Sequence, residues 1–350
     1  MQRHITIGMD LGDKNNIAVV LDHDGNESEC IELKNNKISL GRFFQRYSGA
    51  TVAIEAGTHS PWISRLLEDL GCQVYVGNPY KLRMIWDSTD KSDERDARML
   101  AMVCRLEPRL LWPIHHRGER AHRDLEIIKA RDMLVQSRTK LINHVRSAVK
   151  ASGERLPACS AASFAGRAKQ LLTTALLPAL EPLIDTIADI SDRIKKLDKQ
   201  IDLLASEQYP QAQALQQVQG VGPLTALAYV LTIEDPSRFA KSRMVGPYLG
   251  LTPRRDQSGD IDKQLSITKA GNGYLRKLLV GCAHYIIGPF GPDCDLRRHG
   301  LKIAARGGKN ARKRASVAVA RKLSVVLHSL WGSGQEYQPL YSCSRVAKAA

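Results

Sequence analysis

Between residues 4 and 78, short apolar runs alternate with amphipathic segments, and few architectures accommodate that rhythm. "HITIGMDLG" reads as a buried strand, followed by "NIAVVLD" and "ECIELK", the last two separated by the turn-prone "HDGN". These three strands predict a meander. A helix over "SLGRFFQRY", a strand "ATVAIEAG", a helix "SPWISRLLEDLG" and a strand "QVYVGNP" follow. Pro61 suits the first turn of its helix, and Gly71 the position just past its end. Such alternation predicts an α/β domain whose central sheet is covered by helices.

Beyond residue 120 the periodicity becomes helical. Leu125, Ile128, Val135, Ile142, Val145 and Val149 share one face of a long amphipathic helix, which "ASGERLPACSAASFAG" interrupts. Leu183, Ile187, Ile190, Ile194, Leu197, Ile201 and Leu204 then form a heptad seam, with Ile at a and Ile or Leu at d. That pattern suits a two-stranded parallel coil, and equally a helix packed on the 120–150 helix of the same chain. Self-association is the expectation carried forward. Further on, Gly220 and Gly222 flank a turn that opens a helix in "VQGVGPLTALAYV", as in helix-hairpin-helix modules whose backbone N–H groups approach a phosphate. An ordinary helix–helix turn has the same signature.

Charge narrows the function. The formal net charge is +15, and residues 211–350 hold 21 Lys and Arg against 8 Asp and Glu. Clustered cations of this kind are rewarded by a polyanion through counterion release, which makes nucleic acid the expected partner. The cationic candidates are Arg254, Arg255, Lys269, Arg276, Lys277, Lys309, Arg312, Lys313 and Arg314. No apolar run reaches the roughly 18 residues that span a bilayer. The N-terminus lacks a secretory h-region, and seven scattered cysteines suit a reducing cytoplasm. Cys282, His284, Cys294 and His299 crowd one stretch, but their spacing is not that of a structural zinc site, so zinc is not expected.

Four carboxylates stand out by their setting. Asp10 interrupts an apolar strand, where a charge is costly unless paired or bound to a cation. Glu55 ends the strand "TVAIEA", at the sheet edge where open α/β sheets place ligands. Asp93 and Asp96, in "KSDERDARML", share one face of a helix start, a position the helix dipole favours in any case. Converged, the four would repel unless a cation neutralised them, and hard oxygen donors select Mg²⁺ or Mn²⁺. Two such ions would serve phosphoryl transfer. Ser258 lies in a polar, glycine-containing loop behind Arg254 and Arg255; serines in such loops are most often turn formers.

"IGMDLG", "VAIEAGTHSP", "KSDERDARMLA", "YLGLTPRRDQSGD" and "ITKAGNGYLRKLL" together resemble the DEDD transposases and site-specific invertases of bacterial insertion sequences. The resemblance spans most of the chain. It implies a RuvC-like, RNase H-fold N-terminal domain over residues 1–155, a helical coiled-coil segment over 156–207 and a mainly helical transposase domain over 208–340, with a tail over 341–350. It implies that Asp10, Glu55, Asp93 and Asp96 bind the metal ions, and that Ser258 is a nucleophile forming a covalent phosphoserine link to DNA. It further implies donor and target DNA as partners, a structured bridge RNA as guide, a homodimer or homotetramer whose site is shared between protomers, and a cytoplasmic, nucleoid-associated enzyme.

Two other enzyme classes compete. A junction resolvase would use the same carboxylates with water as nucleophile. An actin-like or sugar-kinase ATPase also opens on "IGMDLG", but the second glycine-rich phosphate loop it needs is missing. A nucleic-acid binder without catalysis is the remaining alternative.

Overall fold

The computed structural model describes residues 5–86, 92–258 and 261–341, which fall into two compact units, residues 1–118 and 119–350. In the first unit, β1 (Thr6–Leu11), β2 (Asn15–Leu21) and β3 (Glu27–Lys34) form the expected antiparallel meander. On the other side of β1 lie β4 (Thr51–Glu55) and then β5 (Gln73–Gly77), both parallel to it, so the sheet order is β3-β2-β1-β4-β5.

Alternation along the strands sends side chains to two different cores. Ile7, Met9, Val52 and Ile54 face α1 (Lys37–Phe44) and α2 (Ser60–Asp69), packing with Leu40, Phe43, Phe44, Ile63 and Leu67. On the opposite face, Ala53 meets Leu82 of α3 (Pro79–Trp86) together with Leu100 and Cys104 of α4 (Asp93–Leu106). Pro61 enters the first turn of α2, and Gly71 takes φ +83° just past its end, as the sequence predicts. Gly8 lets α4 lie directly on β1. A Cβ at Gly8 would come within 2.0 Å of the Ala97 carbonyl oxygen, so no larger residue fits without pushing the helix off the sheet.

The second unit is mainly helical. Its first element is α5 (Glu119–Ala151), which commits its apolar face to later helices, so the first unit closes at Gly118. After α6 (Phe164–Leu171), α7 (Leu177–Leu203) runs antiparallel to α5. Ile142, Val145 and Val149 cluster with Leu180, Ile184 and Ile187, while Leu125 and Ile128 cluster with Ile201 and Leu204. The seam positions Ile187, Ile194 and Ile201 are therefore buried within one chain. This corrects the expectation of an open two-stranded parallel coil: apolar spacing marks a face to be covered, and a partner helix in the same chain is always at high local concentration.

Then come α8 (Pro210–Leu215) and α9 (Pro223–Ile233), whose residues from Thr225 to Ile233 are all buried, making α9 the central helix of this unit. Two further helices, α10 (Val245–Tyr248) and α11 (Gly273–Ile287), flank the hairpin β6 (Pro253–Ser258) and β7 (Ile261–Ile267). The chain closes with α12 (Asp295–Ala304) and α13 (Ala311–Ser333). Tyr229 of α9 ties the core together by donating its hydroxyl to the Ser324 carbonyl of α13 at 2.7 Å. No helix among the described residues is long and apolar enough to cross a membrane.

Candidate active site

In the first unit, β1 and β4 pair in parallel with Gly8 opposite Ala53 and Met9 opposite Ile54. Continuing that register by one residue sets Asp10 beside Glu55. Both lie two positions beyond residues that face α4, so both side chains leave the sheet on that same face.

Helix α4 brings the other two acids to this end. Ser92 caps it, its hydroxyl accepting from the Arg95 N–H at 3.3 Å, and Asp93, Glu94 and Asp96 occupy the first turn, where the helix dipole favours negative charge. Ala97, Leu100, Ala101 and Cys104 form its buried stripe. Near its other end, Arg105 donates to the carbonyls of Asp22 and His23 in the β2–β3 turn, at 3.0 and 2.6 Å. That turn lies at the Thr6 end of β1, so α4 runs antiparallel to β1 and its acidic first turn points toward Asp10.

All four acids thus share one end and one face of the sheet. Asp10, Glu55 and Asp96 are half-buried and Asp93 is exposed. They form an edge rather than a closed cage: among the described residues, no three His, Cys, Asp or Glu side chains are gathered closely enough to hold an ion. As a donor set, four carboxylates fit a hard divalent cation and no soft one.

Loops at this end carry braces that sequence patterns did not single out. Asn35 donates to the carbonyls of Gly12 and Asp13 at 2.8 and 3.3 Å, pinning the turn that follows Asp10. After Glu55, Ser60 donates to the Gly57 carbonyl at 2.8 Å and sits 2.8 Å from His116 Nε2. Ser60 is fully buried, so this pair steadies the loop and does not present a nucleophile. Trp62 donates its indole N–H to His59 Nδ1 at 3.3 Å, leaving Nε2 to donate to the Asp13 carboxylate at 3.4 Å. The Gly57–Ser60 spacing offered a turn signal for one of these braces; nothing near residue 116 announced its part.

In the second unit Ser258 does not lie in a loop. It is the last residue of β6, paired with Ile261 of β7, and every side chain of β6 is exposed. Gly259 and Asp260 of the same motif lie outside the described residues. Arg254 Nη2 lies 3.4 Å from the Ser266 hydroxyl, and Arg255 pairs with Asp262 at 3.6 Å; both contacts are exposed, and pairs of that kind contribute little.

The base of the hairpin is built by close backbone approach. A Cβ at Gly250 would meet the Ala270 N–H nitrogen at 2.3 Å, and one at Gly271 the Tyr248 carbonyl at 2.1 Å. Arg276 closes this junction. Its Nη1 donates to the carbonyls of Leu249 and Ala270, each at 2.8 Å, and burial pulls its guanidinium below the ordinary arginine value. Nη1 of Arg276 is therefore a structural staple, a role the sequence did not announce. It also explains why "YLGLTP" and "AGNGYLR" belong together: each supplies one side of the junction. Arg276→Ala is expected to lower the stability of the unit by about 2–3 kcal/mol, since two charge-assisted bonds to backbone are lost. Thermal denaturation measures this, and the salt dependence of DNA affinity should stay unchanged, as it would not for a phosphate contact.

The remaining cations are differently placed. Lys277 pairs with Asp132 of α5 at 3.0 Å. Lys269 is exposed with φ +58°, and Lys309, Arg312, Lys313 and Arg314 are exposed around the start of α13. Gly220 takes φ +93° and packs on Tyr285, so its first role is helix packing, whereas Gly222 faces open space. The two glycines and Lys277 line a groove of about 680 Å³. Cys282 is buried, its thiol pushed up by burial, and Cys294 caps α12 by accepting from the Arg297 N–H at 3.4 Å.

Two family models match this chain: a DEDD transposase model over residues 7–152, and a model of the IS116/IS110/IS902 transposase family over residues 212–293. A probable family 20 transposase of Pseudomonas aeruginosa is 25% identical, over 95% of this chain and 98% of its own length. The transposase for insertion sequence element IS1111A of Coxiella burnetii is 32% identical over 61% of this chain and 59% of its own. A pilin gene-inverting protein of Moraxella bovis is 31% identical over 42% and 45%. DEDD-type transposases generally use divalent metal ions. With the acidic sheet edge inside one matched region and the serine hairpin inside the other, the chain belongs to the IS110/IS116/IS902 family of transposases, enzymes that cut and rejoin DNA.

Proposed function

We propose that this transposase cuts DNA through a covalent phosphoserine intermediate, with Asp10, Glu55, Asp93 and Asp96 as the acidic site and Ser258 as the nucleophile. The observation that carries this reading is the arrival of all four carboxylates at one end and one face of the sheet, through the β1–β4 register and the direction of α4. We assign the sheet, of order β3-β2-β1-β4-β5, to the RNase H-like class that the motifs imply.

Ser258 attacks the scissile phosphorus. The serine ester forms, the bond to the leaving 3′-oxygen breaks, the serine proton is lost and the 3′-oxygen is released as a hydroxyl. Bond energy is conserved, so the 3′-hydroxyl of another strand attacks the phosphoserine without an outside energy source: the new phosphodiester forms, the serine ester breaks, and the proton lost by the 3′-hydroxyl is balanced by the one Ser258 regains. A bound divalent ion, Mg²⁺ or Mn²⁺, would offset the mutual repulsion of the acids and the charge of the phosphate. Arg254 and Arg255, exposed beside Ser258, orient that phosphate; guanidinium groups match it in a bidentate fork. Lys269, Lys277, Lys309, Arg312, Lys313 and Arg314, with the Gly220–Gly222 turn, hold the flanking backbone.

A structured RNA guide and a homo-oligomer complete the proposal. Sequencing the nucleic acid that copurifies with the intact chain tests the guide. One defined transcript is expected in each preparation; heterogeneous cellular RNA alone would sink the guided mechanism and leave the transposase assignment standing.

A further inference from the structure

A second cationic surface lies on the first unit, away from every residue assigned above. Between the edge strand β3 and α1 runs a groove of about 740 Å³. Lys34, Lys37, Arg42 and Arg46 line it, and no acidic side chain does. Its floor is apolar, from Ile31, Leu33 and Phe43, and Ile38 stands 69% exposed at its side. Arg46 pairs with Glu29 at 3.4 Å and lies over the Phe43 ring at 4.9 Å. Among the described residues, Lys34, Lys37 and Arg42 make no side-chain ion pair.

This combination selects its occupant. Lys34, Lys37 and Arg42, with no ion pair among the described residues, stand by an apolar floor and suit a ligand with regularly spaced negative charge and flat apolar groups, as in a single nucleic-acid strand with unstacked bases. Duplex DNA hides its bases and would leave Ile38 and the floor uncovered. Lys37 is also the first residue of α1, where the helix dipole disfavours a cation unless an anion answers it.

Position strengthens the argument. Lys34 pairs with Asn15 of β2, and Asn16 with Leu11 of β1, so the groove opens at the sheet end that holds Asp10, on the face opposite α4. Two strand spacings, about 10 Å, separate β3 from β1. Lys14 is exposed in the β1–β2 turn between them. We propose that this groove holds the single-stranded DNA segment adjoining the cut, led from the acidic edge past Lys14 to Lys34, Lys37 and Arg42. The proposal rests on the DNA-cutting role of the acidic edge but not on its catalytic steps.

The test is a lysine-acylation footprint of the intact chain, read by mass spectrometry, in the absence of divalent ions so that no cleavage is needed. The probe is an oligothymidylate of about 15 nucleotides, beside its duplex, an oligouridylate of equal length and polyglutamate. Oligothymidylate is expected to slow acylation of Lys34 and Lys37 by about fivefold or more, and the other probes to protect them far less. In K37E/R42E, two exposed substitutions that leave the core untouched, protection of Lys34 should vanish while that of Lys309 and Lys313 persists. Unchanged acylation of Lys34 and Lys37, or equal protection by polyglutamate or oligouridylate, would overturn the assignment. Because the footprint requires no chemistry, its outcome is separate from any failure of the carboxylates to support cleavage.

Discussion

Ser258→Ala is expected to abolish the SDS-resistant protein–DNA adduct and to reduce strand cleavage by at least ~10³-fold, as removal of a nucleophile does when no other group replaces it. The substitution should be structurally silent. Ser258 ends an exposed strand, and the hairpin is held at its base by Gly250, Gly271 and Arg276. DNA affinity should stay within about threefold of the parent, because a neutral hydroxyl adds little to a contact dominated by phosphate charge. The measurement is adduct formation on labelled nicked DNA with Mg²⁺, followed by denaturing electrophoresis. Cleavage that survives the substitution would identify water as the nucleophile, and the enzyme would then be hydrolytic, as in the resolvase alternative.

Asp10→Asn should produce a different phenotype, with binding intact and chemistry lost. Asparagine preserves the shape of the side chain but removes the charge that a divalent ion requires. Loss of one such ligand costs on the order of 10²- to 10³-fold or more in rate when the ion stabilises charge in the transition state. DNA affinity is expected to hold or rise slightly, since one negative charge leaves a surface that meets phosphate. Titrating Mn²⁺ against both proteins supplies a second readout: the parent should cleave at lower metal concentration than the variant. Equal Mg²⁺-dependent rates in the two proteins would remove Asp10 from the site. Asp96→Asn should behave alike, because Asp96 is half-buried in the first turn of α4 at the same sheet end.

Much of the first unit is legible along the chain. The meander of β1, β2 and β3 is visible because short apolar runs and turn residues act locally, over a few positions. The ends of α2 are visible in Pro61 and Gly71 for the same reason. Asp10 stood out because a carboxylate within an apolar strand is expensive wherever that strand folds. The hairpin bearing Ser258 was invisible by the same logic: all of β6 is exposed, so its sequence carries no apolar alternation to mark a strand.

Arg276 illustrates what composition hides. In the sequence it is one cation among many in a basic region. In the fold it is committed to the carbonyls of Leu249, 27 residues earlier, and Ala270. The heptad seam of α7 misled for a related reason, since spacing reports that a face must be buried and says nothing about which helix buries it.

From the sequence alone came the α/β character of the first unit, the helical character of the second, the basic C-terminal region and four acids as candidates. These follow from local propensity, period and charge, which need no knowledge of distant residues. Tertiary structure alone decided that β1 and β4 lie side by side and in parallel, that α4 runs against β1 over Gly8, and that Arg276 staples the serine hairpin. Those contacts join segments tens of residues apart, and their free energy comes from close packing and paired backbone groups that exist only once the chain has folded.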